Sequence, residues 1–247
     1  MEIKELQQMI QANKVKAIDL KYCGIDGKWY HITFPARNIL EVMENGIPFD
    51  GSSIPGMRSV ESGDMVLMPD AETAHLDSFY ETPTLRMLCS ICDADTRIGV
   101  KKDPRSVALR AHQYLLSTGI ADMSTWIPEL EFHLFDSVQY YSDSYSAGYN
   151  ITSSECKEAL PEENEDLDAL SLQGVKGYHI DTPFDQFYEI RQKIVELIEE
   201  QDIKVRYHHH EVGSSAQEEI ETELLAFPRI CDDVMIMKDI IRKTALQ

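Results

Sequence analysis

Three stretches of this chain set carboxylates and imidazoles two residues apart. That is the spacing at which an extended strand gathers side chains on one face, where they could hold a cation. In Trp126-Ile-Pro-Glu-Leu-Glu-Phe-His-Leu-Phe135, alternation puts Glu129, Glu131 and His133 on one face and Leu130, Phe132 and Leu134 on the other. The two glutamate Cα atoms then lie roughly 6.5 Å apart. Glu is a poor strand residue unless water, a cation or a metal compensates it, so this segment alone fits either an exposed sheet face or a metal-binding one. Tyr207-His-His-His-Glu-Val212 sets Tyr207, His209 and Glu211 on one side and His208, His210 and Val212 on the other. Three adjacent histidines invite zinc, but strand neighbours point to opposite sides and cannot all ligate one ion, whereas a catalytic zinc needs convergent protein ligands. In Gln217-Glu-Glu-Ile-Glu-Thr-Glu-Leu224, Glu219, Glu221 and Glu223 share a face, opposite Ile220 and Leu224. This is a solvated acidic face or, if the three strands are sheet neighbours, part of an all-oxygen site. There Glu131, Glu211 and Glu219 would converge on Mg²⁺ or Mn²⁺.

Strands this acidic need a scaffold, and the hydrophobic pattern supplies one. Ile3, Leu6, Met9 and Ile10 recur at helical spacing in residues 1–16 and predict a short amphipathic helix. Residues 16–22 and 29–34 read as a hairpin about a Gly-Ile-Asp-Gly turn, followed by a helix over 36–45. Residues 49–57 read as a loop, and strands are expected at 65–68 and 85–92. Asp103-Pro104 is a helix start, since Asp caps free N–H groups and Pro is preorganised for the first turn; the helix is expected to reach Ser117. A strand is expected over 125–135, an insertion or flap over about 136–173, a strongly amphipathic helix over 185–200, strands at 203–212 and 217–225, and a helix from Pro228. The fold class is α+β, with a small first domain over 1–98 and a second over 99–247.

Composition narrows the function. In 247 residues, 43 acidic against 23 basic side chains give a formal charge of −20, which repels phosphate backbones and anionic lipid headgroups, so no nucleic-acid or membrane role is expected. The acidic run over 155–168 needs no function beyond solvation. Five cysteines form no repeated framework, which fits a reducing cytoplasm. Cys89 and Cys92 lie in an apolar stretch and read as buried strand thiols rather than a zinc or redox pair. No apolar run is long enough to span a bilayer, and no leader or glycine-rich phosphate loop is visible.

Phe49-Asp-Gly-Ser-Ser-Ile54, the Glu-Ser-Gly-Asp-Met-Val-Leu-Met-Pro-Asp run ending at Asp70, Asp103-Pro-Arg105, Pro128-Glu-Leu-Glu-Phe-His-Leu-Phe135, and His209-His-Glu-Val212 with Glu219 together resemble type I glutamine synthetases in order and approximate spacing. The resemblance implies a β-grasp domain followed by an incomplete catalytic domain of mostly antiparallel sheet and flanking helices. It also implies an enzyme in which ATP phosphorylates the γ-carboxylate of glutamate and ammonia then displaces phosphate, giving glutamine for nitrogen assimilation. By resemblance, Glu131, Glu211 and Glu219 form the ligand set of the metal nearer glutamate, and Glu129 is one ligand of the metal nearer ATP, whose other ligands the family supplies from beyond Gln247. The metals would be Mg²⁺ or Mn²⁺. Asp50 and Ser53 resemble the loop that binds ammonium across a subunit boundary, with Asp50 as proton acceptor. Arg206 stands where the family commonly has a Glu approaching the nucleotide. The implied partners are glutamate, ammonium, ATP and further copies of the chain, in stacked hexameric rings. The alternative is a non-catalytic relative that binds or co-assembles.

Overall fold

The computed structural model describes residues 1–59, 63–155, 177–213 and 216–247. Backbone contacts divide the chain into two compact units, Met1–Ser124 with Ala226–Met235, and Thr125–Leu225 with Ile236–Gln247.

In the first unit, helix α1 (Ile3–Ala12) opens with a capping box in which the Glu5 carboxylate accepts from the Glu2 N–H at 2.9 Å. Strands β1 (Ala17–Cys23) and β2 (Trp29–Pro35) form the expected hairpin, with Gly27 at φ 72° in its turn, a region costly for residues bearing a Cβ. A 3₁₀ turn leads into α2 (Ile39–Asn45). Strands β3 (Ile47–Asp50), β4 (Asp64–Leu76) and β5 (Thr84–Asp93) complete a sheet of order β2-β1-β5-β4-β3, in which only β1 and β5 run parallel. Strand β3 takes in Phe49 and Asp50, the first two residues of the expected loop. It carries Pro48, which an edge position tolerates because no ladder N–H is needed on the open side.

β4 also runs well past the four residues expected, because its register shifts between Asp70 and His75. There the Thr73 hydroxyl takes the Leu88 N–H at 2.8 Å, so the irregularity leaves that donor satisfied. Ile18, Leu20, Met65, Leu67, Leu85, Met87 and Ile91 pack with Leu6 of α1 and with Ile39 and Val42 of α2, each buried. Such side chains contribute roughly 1.5–3 kcal/mol each on burial. Helix α3 (Pro104–Thr118) begins where Asp103 caps it, accepting from the Ser106 N–H at 3.0 Å, and stops at Gly119 in the left-handed conformation, φ 67°. Arg105 then ties three elements together: its guanidinium binds Asp70 of β4, Ser90 of β5 and Asp232.

In the second unit, the strand expected over 125–135 is interrupted by Ile127-Pro128 into β6 (Thr125–Trp126) and β7 (Glu129–His133), since Pro cannot donate to a ladder. Strands β8 (Ser137–Ser142) and β9 (Ala147–Thr152) form a hairpin in the first part of the stretch read as an insertion. Residues 156–173 of that stretch lie outside the described residues. Helix α4 (Tyr188–Glu199) starts three residues later than expected because the Asp185 side chain turns to Arg191 inside the helix. Strands β10 (Val205–His210) and β11 (Gln217–Thr222) join β7 in an antiparallel sheet of order β10-β11-β7; helix α5 (Arg229–Thr244) follows, its residues to Met235 counted in the first unit and those from Ile236 in the second. The expected β-grasp unit and the mostly antiparallel sheet of a second α+β part are both present.

Candidate metal centre

Strand β11 is central, so each of its residues has a cross-strand neighbour on both sides. Glu219 lies opposite Glu131 of β7 and His209 of β10; Glu221 lies opposite Glu129 and Tyr207. The alternation read from sequence thus becomes two rows running across three strands. Glu211 follows β10 directly, and its N–H donates to the Gln217 carbonyl at 2.7 Å, which keeps it beside the first row. One ligand atom each from His209, Glu211 and Glu219 lies within 4.8 Å of the other two, and the same holds for Glu129, Glu219 and Glu221. Glu219 belongs to both groups.

The individual side chains differ in how they are held. The Glu211 carboxylate accepts the Val212 N–H at 2.8 Å, and both Glu211 and Glu219 are buried. His209 Nδ1 sits 3.0 Å from the His210 carbonyl, which can only accept, so Nδ1 carries the proton and Nε2, 3.6 Å from Glu219, is the atom turned to the carboxylates. Glu131 is exposed and accepts from the Gln217 amide at 2.7 Å; it lies across from Glu219 in register without joining either close group. Glu129 is exposed. Burial raises the Glu219 carboxyl above its ordinary value; Glu211, Glu129 and Glu131 add to this while His209 opposes it. Glu221 is held the other way: hydrogen bonds from Tyr207 and from Arg206, the latter at 2.7 Å, lower it.

These donors fit a divalent cation. Carboxylate oxygens outnumber the single imidazole, and among the described residues the basic group beside Glu219 is His209, 3.6 Å away. This donor chemistry is what Mg²⁺ and Mn²⁺ take. Arg206 pairs with Glu221 at 2.7 Å, so a guanidinium partly balances the outer row, whereas the Glu211–Glu219 row has the His209 imidazole beside it.

Asp50 ends β3 and caps the short turn after it. Its carboxylate accepts from the Ser52 hydroxyl at 2.7 Å, the Ser52 N–H at 2.9 Å and the Ser53 hydroxyl at 3.1 Å, and the Ser52 bonds above all lower its pKa. An exposed carboxylate so held stays ionised and suits a cationic ligand.

His209 and Gln217 are site residues that the sequence pattern does not single out. The signal for His209 was its place on the Glu211 face. That for Gln217 was only its distance of two residues from Glu219, and cross-strand register was needed to bring it to Glu131.

Comparison with known proteins bears on both units. The family description "Glutamine synthetase, beta-Grasp domain" matches residues 14–94, and "Glutamine synthetase, catalytic domain" matches residues 101–247. The chain belongs to the glutamine synthetase family. It is 40% identical over 240 residues to a glutamine synthetase of Azotobacter vinelandii, covering 96% of this chain and 51% of that one. It is 34% identical over 245 residues to a Cupriavidus pinatubonensis protein named 3-hydroxylaminophenol mutase, covering 98% and 52%. The cryo-EM structure of Plasmodium falciparum glutamine synthetase superposes with a TM-score of 0.89 at 26% identity, covering 99% of this chain and 48% of that one. The chain thus spans about half the length of the curated relatives it matches. The mutase likeness means that a single reaction does not follow from family membership alone. Within this glutamine synthetase family chain, the catalytic-domain match contains Glu129, Glu131, Glu211 and Glu219, and the β-grasp match contains Asp50 and Ser53.

Proposed function

We propose that this chain carries the acidic metal-binding half of an ATP-dependent glutamate–ammonia ligase. Glu131, Glu211 and Glu219 hold one Mg²⁺ or Mn²⁺, and Glu129 contributes to a second. The observation that carries the reading is the row across β7, β11 and β10, in which a buried carboxylate, Glu219, has Glu131 and His209 as cross-strand neighbours and Glu211 close by. When bound, the cations neutralise phosphate charge and align the γ-carboxylate of glutamate for in-line phosphoryl transfer. The chain's own residues do the rest. Buried Glu211 and Glu219 fix where positive charge is held, and the Gln217 amide steers the Glu131 carboxylate.

In the reaction, a γ-carboxylate oxygen attacks the terminal phosphorus of ATP and ADP leaves. Ammonia then attacks the resulting acyl phosphate and inorganic phosphate leaves. Asp50 and Ser53 form the ammonium loop: the ionised Asp50 carboxylate attracts the cation and accepts its proton, which frees the nitrogen lone pair. Because that carboxylate is held low, its main contribution is to bind and orient ammonium. Further copies of the chain, in rings, would supply Asp50 to a neighbouring site. A cytoplasmic setting is consistent with free Cys23, Cys89, Cys92 and Cys231, and among the described residues no helix is long and apolar enough to cross a membrane.

The test is glutamine formation from ATP, glutamate and ammonium by the purified chain, paired with thermal melts in Mg²⁺ and Mn²⁺. Turnover together with metal-dependent stabilisation is expected of a ligase. Stabilisation without turnover would replace the catalytic reading with that of a binding or co-assembly protein, and neither signal would remove the metal centre as well.

A further inference from the structure

On the opposite face of β11 and β10 lies a second convergence of ligand-type side chains. Glu155, His210 and Glu218 are all buried, and one ligand atom of each lies within 4.8 Å of the other two. Each is gripped from outside by one partner that leaves another atom turned inward. Glu155 Oε1 accepts the Gln186 N–H at 2.6 Å, leaving Oε2 2.9 Å from His210 Nε2. His210 Nδ1 donates to the Glu211 carbonyl at 2.7 Å, which fixes the tautomer so that Nε2 faces Glu155. Glu218 receives Arg191 on Oε2, and its Oε1 is buried with no hydrogen-bond partner among the described residues. Gly177 lies so close to the imidazole that a Cβ there would collide with it, so the ring is also held by packing.

This is how metal ligands are commonly oriented: imidazole to a backbone carbonyl, carboxylates to outer donors, one donor atom of each pointing in. The donor set matches that of His209, Glu211 and Glu219 on the other face, but here all three ligands are buried, and a closed site suits Zn²⁺ whereas Mg²⁺ retains several waters.

We propose that Glu155, His210 and Glu218 form a buried structural Zn²⁺ site, separate from the acidic row on the other face of the same strands. It locks the segment at Glu155 and the start of α4 onto the sheet. The orphaned Glu218 oxygen is the observation that sets this cluster apart from an ordinary buried ion pair.

Zinc and cobalt binding by the full 247-residue chain test it. After removal of metals by chelation and dialysis, the chain is titrated with Co²⁺ and read by its visible d–d absorption, then by displacement with Zn²⁺, with zinc content measured after desalting. One tightly held equivalent with the intense bands of a four-coordinate ion is expected. Glu131→Gln should keep it, whereas Glu218→Gln and Glu155→Gln should each abolish it, with circular dichroism confirming that the variants fold. If one of these two variants fails to fold, the other decides. No retained zinc in the wild-type chain, or a full equivalent retained by a folded Glu218→Gln or Glu155→Gln variant, overturns the site. Loss of the equivalent in Glu131→Gln would assign the ion to the acidic row and overturn it equally.

Discussion

Replacing Glu219 by Gln should stabilise the chain in chelator and abolish its gain from metal, two effects of opposite sign from one substitution. Glu211 and Glu219 bring oxygen atoms within 4.8 Å. At that separation two unit negative charges repel by about 0.9 kcal/mol at the dielectric constant of water and about 3.5 kcal/mol at an effective constant of about 20. His209, 3.6 Å from Glu219, offsets part of this when protonated. A relief of about 1–2 kcal/mol is therefore expected for Glu219→Gln without metal, since the amide keeps the shape and removes the charge. With Mn²⁺ at a hundredfold excess over its Kd, the wild-type chain gains about 2.7 kcal/mol by mass action, which corresponds to roughly 5–11 °C in a chain of this size. The assay is a pair of thermal melts, in EDTA and in Mn²⁺, for both proteins. If Glu219→Gln melts below wild type in EDTA and still gains the full metal increment, Glu219 is a packing residue and the reasoning about uncompensated charge fails.

Other consequences can be checked by denaturation. Arg191→Met leaves Asp185 and Glu218 buried without their counter-ion and should cost about 3–5 kcal/mol in urea unfolding; a loss below about 1 kcal/mol would show that the network carries little. Asp103→Ala removes the α3 cap and should cost about 1–2 kcal/mol. Burial raises the Asp103 carboxyl above its ordinary 3.8, so the folded chain holds that proton more tightly than the unfolded one. Its contribution to stability therefore falls as pH rises from that ordinary value through the raised one, and Asp103→Asn should flatten this part of a stability–pH profile. Leu20→Ala, deep in the β-grasp core, should cost about 2–5 kcal/mol, and a shift under about 1 kcal/mol would mean that the site collapses without a cavity.

The elements most visible in the sequence were those whose hydrophobic period had nothing to compete with it. Helix α4 announced itself through Ile194, Leu197 and Ile198, all buried. Its start lies at Tyr188, past Asp185, whose carboxylate binds Arg191, an interaction six residues long that no local pattern encodes. Strand β3 was missed for a related reason: four residues with a proline at an edge carry too little alternation to be told from a loop. The family resemblance supplied the β-grasp and catalytic parts that periodicity alone could only call α+β.

The site divides along the same line. Alternation correctly separated Glu219 from Glu218, but it could not say what lay opposite either, and that is where their chemistry differs. Glu218 faces inward, where Arg191 takes one of its oxygens. Even so, desolvation leaves its pKa raised to about 7. Glu219, one residue on, faces a row of further carboxylates with only a half-buried histidine to offset them. The strand thus sets back to back a carboxylate that a guanidinium grips on one oxygen and a carboxylate beside which, among the described residues, His209 lies 3.6 Å away. The acidic row calls for a cation because its carboxylates crowd together, and the sequence alone could not show this because the crowding is a property of three strands in register.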